Sequence, residues 1–495
     1  MNLPPHKLER ILLVFPAVIN SKAGTKACVL PIGIASLAAF VRDKIEVKVL
    51  DAVLEGHDHE EEFGDRLIRF GLSDREIINR VEEFKPHLIG FSCIFSHQFP
   101  LIRRLVDQVK KLDPSIIAVV GGSHPSMLPE RALGTTQLDY VVIGEGELAF
   151  SRLIDALRSG GPLEGIPGLA FRENNGVHVN GEPELIKDLD QLPFPARNLF
   201  DVEKYFRINM PMQTLSRSPR NLGVSFSRGC PYYCGFCCST IHWGHKYRTR
   251  SSERFLDELE SLKTEFGTEE IKFQDDNLTF NKGRARQLFQ GMIDRKLDLM
   301  WNAPNGISPW TLDAELLELM KASGCYELSL AIESGDPGIL RNIVKKPVDL
   351  DQTREIVKQM KKIGIETGAF FIIGFPGETR EQMENTINFA RSLDIDRCQL
   401  LLFTPLPGTP LAKLAIEQGR IRPDYDFEDE GNYLFSRFHI SEVPPEELRR
   451  IHRRGFWSIN LAFLYKHPFK FFEKYRASLA SHPEFIIKFF RSLRL

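Results

Sequence analysis

The sequence predicts an α/β protein of two successive units: an N-terminal doubly wound, Rossmann-like parallel sheet, then a partial (β/α)6 TIM-type barrel with a helical C-terminal extension. Three observations carry this. Short apolar runs alternate with amphipathic helical stretches twice along the 495 residues, once over residues 10–156 and again from residue 222 to about 410. Between the two series, residues 157–221 hold no long periodic run and are rich in Pro and Gly, as a linker with short strands would be. The last fifty residues change composition again and become basic and aromatic. A chain of this length allows about three domains. The boundaries expected are 1–160, a linker at 161–215, a barrel at 216–415 and an extension at 416–495.

The bulk numbers exclude several classes. Hydrophobic residues make up 42% and charged residues 26%, ordinary for globular material, and the net charge of −2 offers no field for a polyanion. Four of the eight cysteines crowd into one loop; Cys28, Cys93, Cys325 and Cys398 are scattered, without a disulfide framework. That usage fits a reducing cytoplasm. The first apolar run is short and broken by Pro16, unlike a leader peptide, and no stretch approaches the roughly 18 apolar residues of a spanning helix.

In the first series the expected strands are residues 11–15 (ILLVF), 47–52 (VKVLDA), 87–93 (HLIGFSC), 116–122 (IIAVVGG) and 140–147 (YVVIGEGE). Ligands of such sheets sit at the carboxyl ends of the strands, beside the switch point. The turns gathered there offer Asp51, Val53, Gly56, Ser92, Gly121, Gly122, Gly144, Glu145 and Gly146, and the glycines let backbone approach a large ligand. Each turn by itself is equally well read as a plain tight turn.

The second series begins with an apolar run and then the loop SRGCPYYCGFCC, residues 227–238. Cys230, Cys234 and Cys237 have the spacing C-x3-C-x2-C. A four-iron cluster normally takes four thiolates and a closed zinc site four ligands, so three leave one position open, as a reactive centre needs. Cys238 directly follows Cys237 and reads as a bystander. Further expected strands end in polar residues: Asp275 and Asp276 after EIKFQ, Asn302 and Asn305, Glu333 and Ser334 in IESG, and Gly374 in GFPGE. That end of a barrel carries the chemistry.

The cysteine loop, with the aromatic Phe236 before its third cysteine, resembles the signature of the radical S-adenosylmethionine (SAM) family. Residues 10–156 resemble the cobalamin-binding domain that precedes the barrel in one large subfamily, and residues 188–205 resemble the bridge between the two. The resemblance implies three cofactors: a [4Fe-4S] cluster on Cys230, Cys234 and Cys237, SAM and cobalamin. It implies that Asp275 and Asp276 accept from the SAM ammonium, that Glu333 and Ser334 meet the ribose, and that Gly374 lies near the adenine. Cobalamin carriers of this fold generally use D-x-H-x-x-G, whose histidine ligates cobalt. Here Asp51 and Gly56 match and Val53 stands in the histidine's place, implying cobalt without a protein imidazole, with Val53 or Leu54 capping its lower face.

What the resemblance implies is a cobalamin-dependent radical SAM methyltransferase acting on an unactivated carbon or phosphorus through a 5′-deoxyadenosyl radical and methylcobalamin. The alternative is a radical cyclase or oxidoreductase of lipid or pigment biosynthesis with the same cofactors; a non-catalytic cobalamin sensor would leave the cysteine loop without a purpose. Methylthiolation of tRNA needs a second amino-terminal cluster, and only Cys28 and Cys93 lie upstream. The expected partners are a small-molecule or lipid-like substrate and an electron donor such as flavodoxin or ferredoxin, with no nucleic acid. From Leu448 onward there are eleven Lys and Arg against Glu473 and Glu484, with eleven aromatics between them. Such a segment reads either as a peripheral contact with the inner face of a membrane or as a helical cap with its aromatics on the barrel.

Overall fold

The computed structural model describes residues 7–469 apart from 23, 65, 174–175, 211–215 and 430–439. Its first sheet comprises β1 (Arg10–Phe15), β2 (Glu46–Asp51), β3 (Leu88–Ser92), β4 (Ile117–Gly121), β5 (Tyr140–Val142), β6 (Leu169–Glu173) and β7 (Gly176–Val179), in the order β7-β6-β5-β4-β3-β1-β2. The strands β1 to β5 run parallel. Both faces are covered, and strand alternation decides which residue faces which layer. Ile11 and Leu13 join one apolar cluster with Ile34, Ala38 and Leu153 from the helices α1 (Ile32–Val41) and α3 (Gly146–Ser159), while Leu12 and Val14 join another with Ile77 and Leu105. The switch point lies at β1, flanked by β2 and β3.

Two features depart from the sequence reading. The stretch expected as linker donates β6 and β7 to the first sheet as an antiparallel edge. Residues 18–70 also contain a small antiparallel sheet of Val18–Ser21, Leu67–Phe70 and Glu60–Phe63. Between β2 and that sheet sits the single turn α2 (Ala52–Glu55).

The second unit holds β8 (Asn221–Val224), β9 (Glu270–Phe273), β10 (Met300–Ile307), β11 (Cys325–Glu333), β12 (Glu366–Ile373) and β13 (Arg397–Leu402), six parallel strands paired in sequence order, which make an open partial barrel. Ile271, Phe273, Trp301 and Leu328 form one apolar cluster with helix residues such as Phe255, Phe289 and Leu316, and Trp301 stacks on Phe289 at 4.9 Å. Ser251, Asn281, Asp313, Asp349 and Thr379 each cap the following helix by accepting from a backbone N–H three residues on. After the cysteine loop comes the short helix α4 (Ser239–Trp243).

The C-terminal helix α5 (Pro445–Lys466) buries Leu448, Ile451, Gly455 and Ile459, a stripe at helical spacing, beside Arg380–Ser392 and β13. A Cβ on Gly455 would lie 2.7 Å from the Ile387 side chain. The described part of the segment therefore caps the barrel with aliphatic side chains and not with the aromatics expected. Its other face exposes Leu461 and Tyr465, and Phe469 just beyond it is exposed too; residues 470–495, with the rest of the tail, lie outside the described residues. Among the described residues no helix is long and apolar enough to cross a membrane.

Arginines fasten the two units. Arg197 of the linker donates to Glu258 (2.7 Å) and to the Gly223 carbonyl (3.0 Å), with Arg250 on the other Glu258 oxygen. Arg228 donates to Glu147 (2.6 Å), and Arg248 pairs with Glu145. Glu428, beyond the barrel, accepts from Arg103 (2.5 Å) and Arg131 (2.7 Å) of the first unit.

Candidate functional site

The cysteine loop starts where β8 ends, and Asp275 fixes its start. Its carboxylate accepts from the backbone N–H groups of Phe226 (3.1 Å) and Ser227 (2.6 Å) and from the Ser227 hydroxyl. Burial raises its pKa to about 6. Gly229 takes φ +84°, and a Cβ there would stand 2.5 Å from the Lys246 carbonyl, so only glycine fits. Gly235 donates to the Val344 carbonyl and accepts from Leu411 N–H, and Cys237 N–H closes a turn on the Cys234 carbonyl (3.1 Å). Asn277 points its amide at Cys230 Sγ (3.8 Å).

Burial pushes Cys230, Cys234 and Cys237 above the ordinary thiol range, Cys234 to about 11, so each is a thiol until a metal displaces its proton. Among the described residues no three His, Cys, Asp or Glu side chains converge to hold a single ion. A cube needs no such convergence, because each thiolate takes a different iron. Beside the loop sits a cation that sequence reading missed. Lys346 Nζ lies 2.7 Å from Glu333, both nearly buried. Burial works against its charge, but Glu333 and the Cys234 and Cys237 sulfurs outweigh that and hold its pKa above the usual lysine value. A Lys-Lys-Pro stretch reads as solvated surface, so nothing in the sequence marks it. Tyr232, Trp310 and Phe280 wall the loop, with Trp310 N–H donating to the Tyr232 hydroxyl at 2.6 Å.

The expected SAM residues divide. Asp276 stands at the strand end and accepts from Ser239 (2.7 Å). Glu333, at φ +73°, faces the loop through Lys346. Asp275 instead serves the backbone. Ser334 is fully buried, sharing a proton with Thr386 (2.9 Å) and accepting from Asp336 N–H (3.1 Å), turned from the mouth. Gly374 has φ +90° and donates to Glu378 (2.5 Å), as does Phe375 (2.9 Å); burial raises the Glu378 pKa to about 8. Phe236 leans on Phe375 at 6.2 Å, in an apolar cluster with Phe403 and Leu411. Asn302 is buried and donates to the Tyr326 hydroxyl (2.7 Å), and Asn305 donates to the Gln274 carbonyl (3.0 Å).

In the first unit a cavity of about 140 Å³ opens at the strand ends. Ser92, Gly121, Gly122, Gly144, Glu145 and Gly146, all expected there, line it. Gly122 has φ +108°, and its Cβ would meet the Cys93 carbonyl at 2.5 Å. Asp51, Val53 and Gly56 do not line it. Asp51 caps α2, accepting from Val53 N–H (2.9 Å), Leu54 N–H (3.0 Å) and the Tyr205 hydroxyl. That capping draws the loop under the linker, where Val53 is buried and a Cβ on Gly56 would stand 2.3 Å from Leu72 N. Burial lifts Asp51 to about 6. Glu145 and Glu147 face the second unit as anchors for Arg248 and Arg228. Besides apolar side chains, the cavity wall includes Arg228, from the start of the cysteine loop, and His242 and Trp243, from α4 just after it.

Comparison with known proteins agrees with this pairing of sites. Residues 22–154 match the model of the B12 binding domain and residues 224–390 that of the Radical SAM superfamily. The cytidylyl-2-hydroxyethylphosphonate methyltransferase of Streptomyces wedmorensis is 32% identical over 84% of this chain and 84% of its own. The chain belongs to the cobalamin-binding radical SAM family. Another relative in that family, the anaerobic magnesium-protoporphyrin IX monomethyl ester cyclase of Rubrivivax gelatinosus, is 28% identical over 72% of this chain and 63% of its own. The radical SAM methyltransferase TsrM from Kitasatospora setae, solved with cobalamin and a [4Fe-4S] cluster bound, shares the fold, with a TM-score of 0.70 at 19% identity over 91% of this chain and 89% of that one.

Proposed function

We propose that the chain is a cobalamin-dependent radical SAM methyltransferase acting on an unactivated carbon or phosphorus. One observation carries the reading: the cavity of the cobalamin-binding unit and the cysteine loop share a wall, so two cofactors held there would face one reaction space. The residues fit the groups. Three half-buried thiols on one tight loop, beside a buried lysine, suit a cluster with an open corner. A cavity lined by several glycines at the strand ends of such a sheet suits a cofactor that the backbone approaches closely.

In this reading Cys230, Cys234 and Cys237 hold the cluster, and Asp276 and Glu333 present oxygens towards SAM from two strand ends. Lys346 holds Glu333 in place and sets a positive charge beside the sulfurs. Tyr232, Trp310 and Phe280 keep water off the loop, and the Arg228–Glu147 pair fixes the separation of the two sites. When bound, the cluster supplies the electron that opens SAM to radical chemistry, and cobalamin supplies a carrier for its methyl group. An acidic carrier such as flavodoxin or ferredoxin would deliver that electron. The exposed Leu461, Tyr465 and Phe469, among basic neighbours, would give the C-terminal segment a contact with an anionic membrane. Co-sedimentation with anionic vesicles checks this: loss of binding on deleting residues 448–495 is expected, and no binding by the full chain refutes it.

The function is tested by anaerobic reconstitution with cobalamin, deuterated-methyl SAM, a reductant and candidate substrates, followed by mass spectrometry. Labelled methyl in product, with both 5′-deoxyadenosine and S-adenosylhomocysteine, is expected, and Cys234→Ala should form no 5′-deoxyadenosine and no labelled product. 5′-Deoxyadenosine alone with an unmethylated, oxidised product would establish the second reading, a radical cyclase, which the Rubrivivax relative favours.

A further inference from the structure

The cysteine loop carries an exposed patch that the function above leaves unused. Outside the C-terminal segment no described large apolar side chain is more exposed than Tyr233, at 65%. It stands between Tyr232, whose ring packs on Trp310, and Cys234. Its ring stacks on His245 at 3.9 Å, which fixes an aromatic plate on the surface one residue from a cluster thiol. Phe280, also exposed, meets the edge of Tyr232 at 5.9 Å and continues the patch. Cations flank it. Lys246 follows His245, and its carbonyl lies against Gly229 at the start of the loop. Lys345 follows Val344, whose carbonyl accepts from Gly235 N–H (3.0 Å) inside the loop. Arg284 lies in the first turn of the helix Lys282–Asp294, four residues after Phe280. All three are exposed, and none makes an ion pair among the described residues. The carboxylates beside the loop are already engaged: Glu333 with Lys346, Asp276 with Ser239, and Asp313 with Lys282 and Arg286.

We infer that Tyr233, Lys246 and Lys345 form the docking surface for a small acidic protein that carries one low-potential electron to the cluster. The inference rests on the radical SAM reading of the loop given above. On that reading SAM takes the side of the loop that holds Glu333 and Lys346, so a carrier has to approach from the exposed side, where Tyr233 is joined to Cys234 by a peptide bond. A single exposed lysine is ordinary solvated surface. Here a large aromatic, held by a stacked imidazole, lies between cations that no acid neutralises. A rigid aromatic supplies contact area at little cost in entropy, and the cations around it steer an oppositely charged partner into register. Redox encounters bury little surface, so charge rather than area sets their rate. The chain as a whole carries a net charge of −2, and its attraction for an acidic carrier is therefore local. At this surface one electron leaves the carrier and one enters the oxidised cluster; no bond forms or breaks, and Tyr233 gives up no proton.

The test uses full-length protein with its oxidised cluster reconstituted. It is mixed anaerobically with reduced flavodoxin or reduced ferredoxin, and the paramagnetic resonance of the reduced cluster is followed in freeze-quenched samples. The oxidised carriers are titrated separately by calorimetry. Reduced methyl viologen, a small cation, is the control reductant. At least one carrier is expected to reduce the wild-type cluster at a rate that falls steeply as salt rises. Lys246→Glu combined with Lys345→Glu should slow that carrier about tenfold at low salt, weaken its binding and flatten the salt dependence, with iron content unchanged and viologen not slowed. The milder pair Lys246→Gln with Lys345→Gln should be slowed less, and Tyr233→Ser should weaken binding at every salt concentration. If the charge-reversed variant takes electrons from the carrier as fast as wild type, or if neither carrier reduces a wild-type cluster that viologen reduces, the inference is overturned while the radical SAM reading stands. If wild type assembles no cluster, that reading falls and the inference falls with it.

Discussion

Three loops are each closed by one buried carboxyl group that accepts backbone N–H groups: Asp51 at the end of β2, Asp275 at the start of the cysteine loop and Glu378 in the Gly-Phe-Pro-Gly turn. Hydrogen bonds to the charged form favour ionisation, but burial wins at all three, to about 6, 6 and 8. For Glu378 the folded value lies above the unfolded one, so folding takes up a proton between about 4.5 and 8. The stabilisation tied to that proton is full below the unfolded value and is lost as pH rises through about 8. Glu378→Gln keeps an acceptor for Gly374 and Phe375 but cannot ionise. Wild type should therefore lose stability relative to the variant by roughly 1.4 kcal/mol per pH unit across that window. Chemical denaturation of both at pH 5 and pH 9 checks this, and parallel pH profiles would refute it.

Among the elements, the cysteine loop is tightly constrained at two glycines. Gly229 is held by its positive φ and by the Lys246 carbonyl, and Gly235 by contacts on both sides. Gly229→Ala should cost about 2 kcal/mol and lower iron loading after reconstitution; unchanged iron and unchanged melting would show that the loop adapts. Strands that carry continuous apolar runs, such as ILLVF and FFII, were legible in the sequence because buried parallel strands need them on both faces. The strand Glu60–Phe63 was not: its sequence EEEF has almost nothing to bury, and partners on Leu67–Phe70 define it. Glycines predicted the cavity well, since backbone approach demands them. Charged turn residues predicted it poorly. Glu145 and Asp51 have the residue types of a ligand site, yet one lines the cavity while anchoring an arginine and the other caps a turn. Lys346 and His242 were invisible because each gains its meaning from a unit or loop distant in sequence.

At the scale of the whole molecule, the pairs Arg228–Glu147, Arg248–Glu145 and Arg131–Glu428 join parts of the chain that fold around separate cores. All are arginine on glutamate, and the glutamates are almost wholly buried. Such pairs are screened little by dissolved ions, so ionic strength has slight leverage on the seam. Acid has a great deal. Burial works against the Glu147 charge, but Arg228 outweighs it and holds that carboxyl below its usual range. Its contribution is therefore present above the unfolded value and disappears as pH falls through the folded one. Protonation of Glu147 leaves Arg228 charged and nearly buried without its shortest ion pair, because a guanidinium cannot give up its own proton in exchange. The seam between the two halves is thus one that brine leaves alone and acid loosens, through the single carboxyl of Glu147.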